Sequence, residues 1–521
     1  MKRLFTLVFM ALATTYMFAG WQPSDNEKIR LDQAGGSGQI QLKALRTPEG
    51  KTVMTWLRWT QGADEASTGY YLYMQVLDVD GTPLLGDGGV VVDGHQTASY
   101  TTDYGLALAQ NGDIVMTYTD TRTSAADEDE EILTLYAYRY NQQGQPVWSA
   151  DGIQLTAVSE NANGYDMEPL VCISGENIYV GLFHSEGRKS NFQLQRLNND
   201  GTLAWSANKI IESKIAVMKP CVDGDLYLIY DNADKGLDAQ RINKDGENVW
   251  SDPVTIEGEA LSTGVYMPVP VCTLDGNGGV AITYRKLESW SGYQVVNHLS
   301  ADGTVLSEAV SCNGNTDGDA GSAVIGARGD KALVAWQYKD AAYQLNVNLL
   351  GIDGSYAWQG DKKYGFAYGH NEQWGFQPVA VIPLANAWVV IYNDHTSWNG
   401  GNMMVSKISD AGETLWSKQI AEENFVAKSI VVTNDDKNAY IFYSQEPQTD
   451  DNWEPIPDTG GMFVMCVDIS KEATGINALE NGELKTENSV YDLQGRRLSN
   501  PQGLFIERSA DGSSRKVLLN R

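Results

Sequence analysis

The chain has 521 residues, 42% hydrophobic and 20% charged, a mixture that excludes global disorder and allows a large core. Its net charge of −29 repels phosphate backbones and acidic lipid, which excludes nucleic acid and anionic membrane as partners. With 52 Gly, 26 Tyr and only 15 Pro, the composition suits many short strands joined by tight turns.

The first element is a leader. Met1-Lys2-Arg3 is basic, LFTLVFMALATTYMFAG is apolar and ends in small residues, and polar WQPSDNEK follows. This predicts a secretory signal peptide over residues 1–20, cut near Ala19 to Trp21. No cysteine stands at the cut, so no lipoprotein anchor is expected, and no later apolar run is long enough to span a bilayer. NEKIRLDQ, from Asn26, matches segments further along, DGIQLT at Asp151 and ANKIIE at Ala207.

From Gly38 onward the chain repeats itself. A turn of the D-G type recurs as VDGTPLL at Val79, QQGQPVW at Gln142, NDGTLAW at Asn199, KDGENVW at Lys244, ADGTVLS at Ala301, IDGSYAW at Ile352 and DAGETLW at Asp410. Apolar runs ending in an aromatic accompany these turns, at Trp56, Tyr118, Phe183, Tyr230, Tyr284, Trp336, Tyr392 and Tyr443. Each unit reads as strand, turn, strand, loop, strand, D-G turn, strand. Such units of roughly 40 to 50 residues are propeller blades. The fold class is therefore all-β, an eight-bladed propeller of four-stranded antiparallel blades over residues 26–476, with seven blades as the fallback count. The eighth unit lacks an outer strand. The segment at Asn26 is expected to supply it, so that residues 26–33 lie beside Met462–Asp468 and no edge is left open. The Trp after each D-G turn is expected to pack between blades.

This D-G-x-x-x-W pattern resembles the PQQ-like eight-bladed propellers with tryptophan-docking motifs. The resemblance implies the fold. The quinone-holding residues of that family have no match here, and no cofactor is expected. Of the five cysteines, Cys172, Cys221 and Cys272 fall at equivalent points of successive units, and buried free thiols are expected rather than disulfides. No C-x-x-C occurs to hold zinc.

Beyond Ile476 the pattern changes. NALENGELKTE reads as a polar linker, and NSVYDLQGRRLSNPQGLFIERSADGSSRKVLLNR as three short strands. Residues 477–521 resemble the C-terminal sorting modules of type IX secretion. The resemblance implies contact with a secretion machinery and a final place outside the cell or on its surface. The alternative is an appended β-unit with no sorting role, which leaves the protein periplasmic.

Candidate functional residues lie on the face that carries the long, varied loops. There Trp59, Trp290, Trp398 and Trp453 offer aromatic faces for a glycan or peptide. Arg58, Asp120, Arg122, His184, Asp231, Arg285, Asp394 and His395 are expected to form a polar ring around the central mouth. For any single Trp, loop packing is the competing role. NGNTDGDAG at Asn313 has a calcium-loop look, but Val324 stands where an EF-hand needs Glu. Asp317 and Asp319 therefore head either a plain turn or a surface calcium site. G-x-S-x-G, H-E-x-x-H and P-loop motifs are absent.

These features lead to an exported monomer that binds glycan or peptide without catalysis. Two alternatives stand beside it. One is a polysaccharide hydrolase or lyase with paired carboxylates at the central mouth. The other is a structural part of a cell-surface assembly.

Overall fold

The computed structural model describes residues 28–31, most of 39–471, and the segments 476–479, 489–491, 503–508 and 514–519. Within 39–471 the description omits 64–66, 87, 98–102, 123–131, 157–163, 187–188, 262–268, 289–290, 315, 317–318, 340–342, 359–361, 365–375, 398–399, 421–428 and 446–459. Trp290, Trp398, Trp453 and Asp317 thus lie outside the described residues, as does the signal peptide. The chain divides into two compact units, Met1–Val467 and Asp468–Arg521.

The first unit is an eight-bladed propeller of four antiparallel strands per blade. Blade 1 runs Gln39–Arg46, Thr52–Thr60, Gly69–Leu77 and Val90–Val91 from the inside outward. The inner strands of blades 2 to 8 are Gly105–Leu108, Gly164–Ser174, Ala216–Pro220, Val271–Leu274, Asp319–Arg328, Phe376–Pro383 and Ser429–Asn434. Each inner strand lies against the next, and the eighth lies against the first, which closes the ring. Blades 5 and 6 also share one parallel bridge, Gly292 to Asp319.

The local chemistry explains the repetition. The glycines Gly81, Gly144, Gly201, Gly246, Gly303, Gly354 and Gly412 of the seven D-G turns all have φ between 73° and 90°. Only glycine adopts that region without strain, so the turn fixes where each blade doubles back. The tryptophan after the turn docks on the next blade. Trp148 Nε1 donates to the Asn199 carbonyl at 2.9 Å, Trp205 to Lys244 at 2.9 Å and Trp358 to Asp410 at 3.0 Å. A Cβ on Gly246 would stand 3.0 Å from the Trp205 ring, so this glycine is required twice, by its φ and by its neighbour. In blade 1, Leu85 takes the tryptophan's place against Gly144.

The core consists of clusters between adjacent blades. Seven of the eight aromatic landmarks are buried, and Tyr230 is half-buried. All five cysteines are free, and Cys172, Cys272, Cys312 and Cys466 are buried. Burial pushes the Cys172 and Cys272 thiols up to about 12, so both stay protonated and unreactive at neutral pH.

Blade 8 is completed by the start of the chain. Lys28–Arg30 pairs antiparallel with Gly461–Asp468, in the register Lys28 to Met465, Ile29 to Val464 and Arg30 to Phe463. The Leu31 amide donates to the Met462 carbonyl at 2.9 Å, and Arg30 Nη2 donates to the Gly460 carbonyl at 2.8 Å. Ile29 and Leu31 join a core with Trp56, Phe442 and Val464, so the closing strand is held by apolar burial as well as by its ladder.

The second unit holds a sheet in the order Ser489–Tyr491, Gly503–Arg508, Ser514–Leu519 and Ile476–Leu479, the last pair parallel. The segment read as a linker therefore begins with a fourth strand, Ile476–Leu479, a short and mostly apolar run that the polar residues after it masked. No helix among the described residues is long and apolar enough to cross a membrane.

Candidate functional site

The long loops, the blade-to-blade connections and the entries to the inner strands share one face. Among the described residues, three of the polar centres on that face stand on blades 1 to 4.

Between blades 1 and 2, Asp120 ends a strand fully buried, with no exposure to solvent. Arg122 Nε bonds both of its oxygens at 2.9 Å. Arg122 Nη2 donates to Asp93 at 2.8 Å and to the Tyr138 hydroxyl at 2.6 Å, while Nη1 donates to the Asp151 carbonyl at 2.7 Å. The guanidinium lies 3.9 Å from the centre of the Tyr136 ring. Burial raises the Asp120 carboxyl above its ordinary range, and Arg122 offsets part of that rise. Burial alone would lower the Arg122 guanidinium, but its bond to Asp120 and the charges around it lift it well above an ordinary arginine. Tyr138 donates to Asp93 in a short bond, and His95 Nδ1 lies 3.2 Å from Asp93. Asp93, His95 and Asp120 lie close enough to hold a cation. Arg122 already occupies that centre as its counter-ion.

Between blades 2 and 3, Asp166 Oδ1 stands 2.8 Å from His184 Nδ1. Its other oxygen accepts the Leu135 amide at 3.1 Å and the Thr156 hydroxyl. Asp231 is spent on architecture. It accepts the Lys214 and Ile215 amides at 2.6 and 2.8 Å and the Ser213 hydroxyl, which pins the connection from blade 3 to blade 4. Asp120 and Asp231 are thus buried behind the surface, because each carboxylate needs the partners that only the interior supplies.

The remaining candidates scatter around the ring. Trp59 is 37% exposed and meets Tyr70 edge-on, 5.0 Å between ring centres. Arg58 lies 5.6 Å from the Tyr73 ring centre. Arg285 is half-buried in blade 5, opposite Gln294. Asp394 and His395 belong to the second strand of blade 7, Ala387–Ser397, where Asp394 pairs with Phe376 and Asn402. Asp319 heads the inner strand of blade 6.

The channel mouth holds residues that no motif marked. Lys43 Nζ lies 2.9 Å from Asp103 and 4.7 Å from the Tyr104 ring centre. Tyr104 is fully buried, donates to the Gln41 carbonyl at 2.6 Å, and accepts from Thr55 at 2.9 Å. Gln41 and Glu168 sit at bulges of their inner strands with φ of 54° and 48°, a conformation that costs a non-glycine residue about 1 kcal/mol or more. Glu168 is exposed. Its carboxyl end is nonetheless partly buried, and that burial and then the charge of Asp103 raise it above the ordinary range. In an eight-membered ring blade 5 stands opposite blade 1, and there Val269 and Val271 are exposed at the entry to the inner strand. Ser322 and Gln377 are exposed on the inner strands of blades 6 and 7. Among the described residues of the inner strands and their entries, Lys43, Asp103 and Glu168 put charge on blades 1 to 3, Val269 and Val271 are apolar on blade 5, and Ser322 and Gln377 are uncharged on blades 6 and 7.

No protein-family model matches the chain, and no curated protein matches it. Solved structures overlap it at low identity. The polysaccharide lyase Uly1 has a TM-score of 0.42 at 10% identity, covering 84% of this chain and 90% of its own. A PL25 ulvan lyase bound to a sugar fragment has 0.42 at 11%, covering 75% and 98%. The Penicillium chrysogenum alpha-L-arabinanase complexed with arabinobiose has 0.39 at 11%, covering 86% and 100%. At this identity and overlap the likeness assigns no activity.

Proposed function

We propose that the protein is an exported propeller that binds glycan at the loop-rich mouth of its channel. The observation that carries this reading is the division of the mouth, with Lys43, Asp103 and Glu168 on one side and Val269 and Val271 on the other. A sugar ring has an apolar C–H face and a hydroxyl edge, and such a mouth meets both. Exposed Trp59 on the same face extends the surface. The tail is proposed to act as a sorting module, and the mature protein to work as a monomer.

Titration calorimetry of the mature protein against a glycan panel tests the reading. Binding that weakens in Lys43→Ala and in Val271→Asp supports it. Absence of any glycan binding, or binding that both variants leave unchanged, overturns it.

A second reading is hydrolysis, favoured by two carboxyl groups, Glu168 and Asp103, near enough for the charge of Asp103 to act on Glu168, with Glu168 as acid and Asp103 as base for water. Release of reducing ends from polysaccharides, lost in Glu168→Gln while binding persists, would establish that activity. Binding without product would leave the first reading alone.

A further inference from the structure

A second recess lies at the outer rim, away from the channel. It is a cleft of about 510 Å³ between blades 1 and 2, lined by Tyr71, Tyr73, Val91, Asp93, Tyr140 and Asp151 among others. It exists because the outer strand of blade 1 is only two residues long, Val90–Val91. Tyr73 pairs with Val91. Beyond that pair the outer segment keeps only single backbone bonds to the third strand, Val92 to the Leu72 carbonyl and Thr97 to the Tyr70 carbonyl, both at 2.8 Å, and Tyr71 lies beside this thinned edge.

Its walls are rigid. Tyr140 donates to the Val92 carbonyl, and Arg122 ties Asp93, Asp120, Tyr138 and the Asp151 carbonyl into one network. His95 is fixed beside Asp93 at the margin. Three tyrosines therefore present rings in a preformed recess, with Asp151 exposed as an acceptor. Aromatic faces and carboxylate acceptors recognise a ring with C–H faces and hydroxyl donors.

Charge narrows the class. Asp93 and Asp151 line the cleft; behind it Asp93 and Asp120 share the single guanidinium of Arg122, and Arg58 lies beside the Tyr73 ring, so carboxylates outnumber cations around the recess. Arg122 is consumed by the network, and the chain as a whole is strongly acidic. A uronate or sulfate would meet net repulsion there, and an uncharged sugar would not. We infer that this rim cleft is a second carbohydrate subsite, selective for a neutral sugar and independent of the channel mouth.

The test is titration of the mature full chain with neutral oligosaccharides (cello- and malto-hexaose) and with oligogalacturonate. Val91 and Asp151 are exposed, so Val91→Asp and Asp151→Asn leave the fold intact, which thermal melting checks. Tyr71→Ala removes one wall. Neutral-sugar affinity should fall roughly five- to tenfold in Tyr71→Ala and in Val91→Asp, and should exceed oligogalacturonate affinity by a margin that narrows in Asp151→Asn. Neutral-sugar affinity that survives Tyr71→Ala and Val91→Asp overturns the subsite, as does its absence in the wild type or a preference for oligogalacturonate that Tyr71→Ala abolishes.

Discussion

Arg46 of blade 1 reaches Asp435 of blade 8 at 3.3 Å, with its guanidinium 4.5 Å from the centre of the Tyr440 ring. Asp435 also accepts the Tyr440 hydroxyl at 2.8 Å and the Lys437 and Asn438 amides at 2.9 and 2.8 Å. The pair bridges the two blades between which the ring closes.

This bridge makes stability depend on acid. Partial burial raises the Asp435 carboxyl, but its hydrogen bonds and Arg46 more than reverse that, leaving it below the ordinary 3.8. A depressed carboxylate contributes stability above its unfolded value and loses it as pH falls through the folded one. Asp435→Asn should lower the melting temperature at pH 7, and the gap to wild type should shrink as pH falls below the ordinary carboxylate range. The pair is partly exposed, so the effect at neutral pH is about 1 kcal/mol or less. Melting curves across pH measure it.

Removing residues 28–31 strips blade 8 of its outer strand and bares the edge of Gly461–Asp468. An exposed edge invites pairing with a second chain. The shortened protein should melt lower and self-associate, which light scattering during a thermal ramp will report. A monomeric product that melts like wild type would show the strand to be dispensable.

Trp148 is buried and bonded to Asn199. Trp148→Ala should cost about 3–5 kcal/mol by opening a cavity between blades 2 and 3. Trp148→Phe keeps most of the ring and loses the hydrogen bond, for about 1 kcal/mol plus packing. Gly201→Ala meets two objections, a φ of 87° and a Cβ 2.2 Å from Ile153, and should destabilise despite adding a methyl. Denaturant titration ranks the three.

Arg122→Met leaves Asp93 and Asp120 buried without their counter-ion, at a cost on the order of 3–5 kcal/mol. Asp120 already titrates high because of its burial, and removing the cation raises it further. A carboxyl whose folded value is raised takes up a proton on folding, so the variant's deficit should narrow as pH falls. Equal deficits at pH 5 and pH 8 would refute the electrostatic origin.

The ring was legible because its signals are local and repeated. A D-G pair forces a turn wherever it stands, and Tyr118 or Trp336 closes the apolar run of a buried strand by the same rule. The closing strand was legible because KIRL carries the alternation of outer strands such as IQLT. The polar centres were not. Asp93 and Tyr138 meet across 45 positions, and Lys43 reaches the Tyr104 carbonyl across 61, so no spacing marks them. Asp120 and Asp231 were marked by their place at strand ends, but sequence does not tell whether such a carboxylate faces water or fastens a loop. Glu168 carried only a faint sign, an acidic residue before a proline at a strand entry.

Ile29 sits opposite Val464, so the earliest part of the propeller to be synthesised has its seat among the last. A ribosome-bound chain that ends short of residue 461 has nowhere to place it. The segment must wait, unpaired, for nearly the whole length of translation, and the wheel locks only when the final blade arrives. Truncated products therefore carry a permanently unfinished joint, which gives proteases a physical means of telling them from the complete molecule.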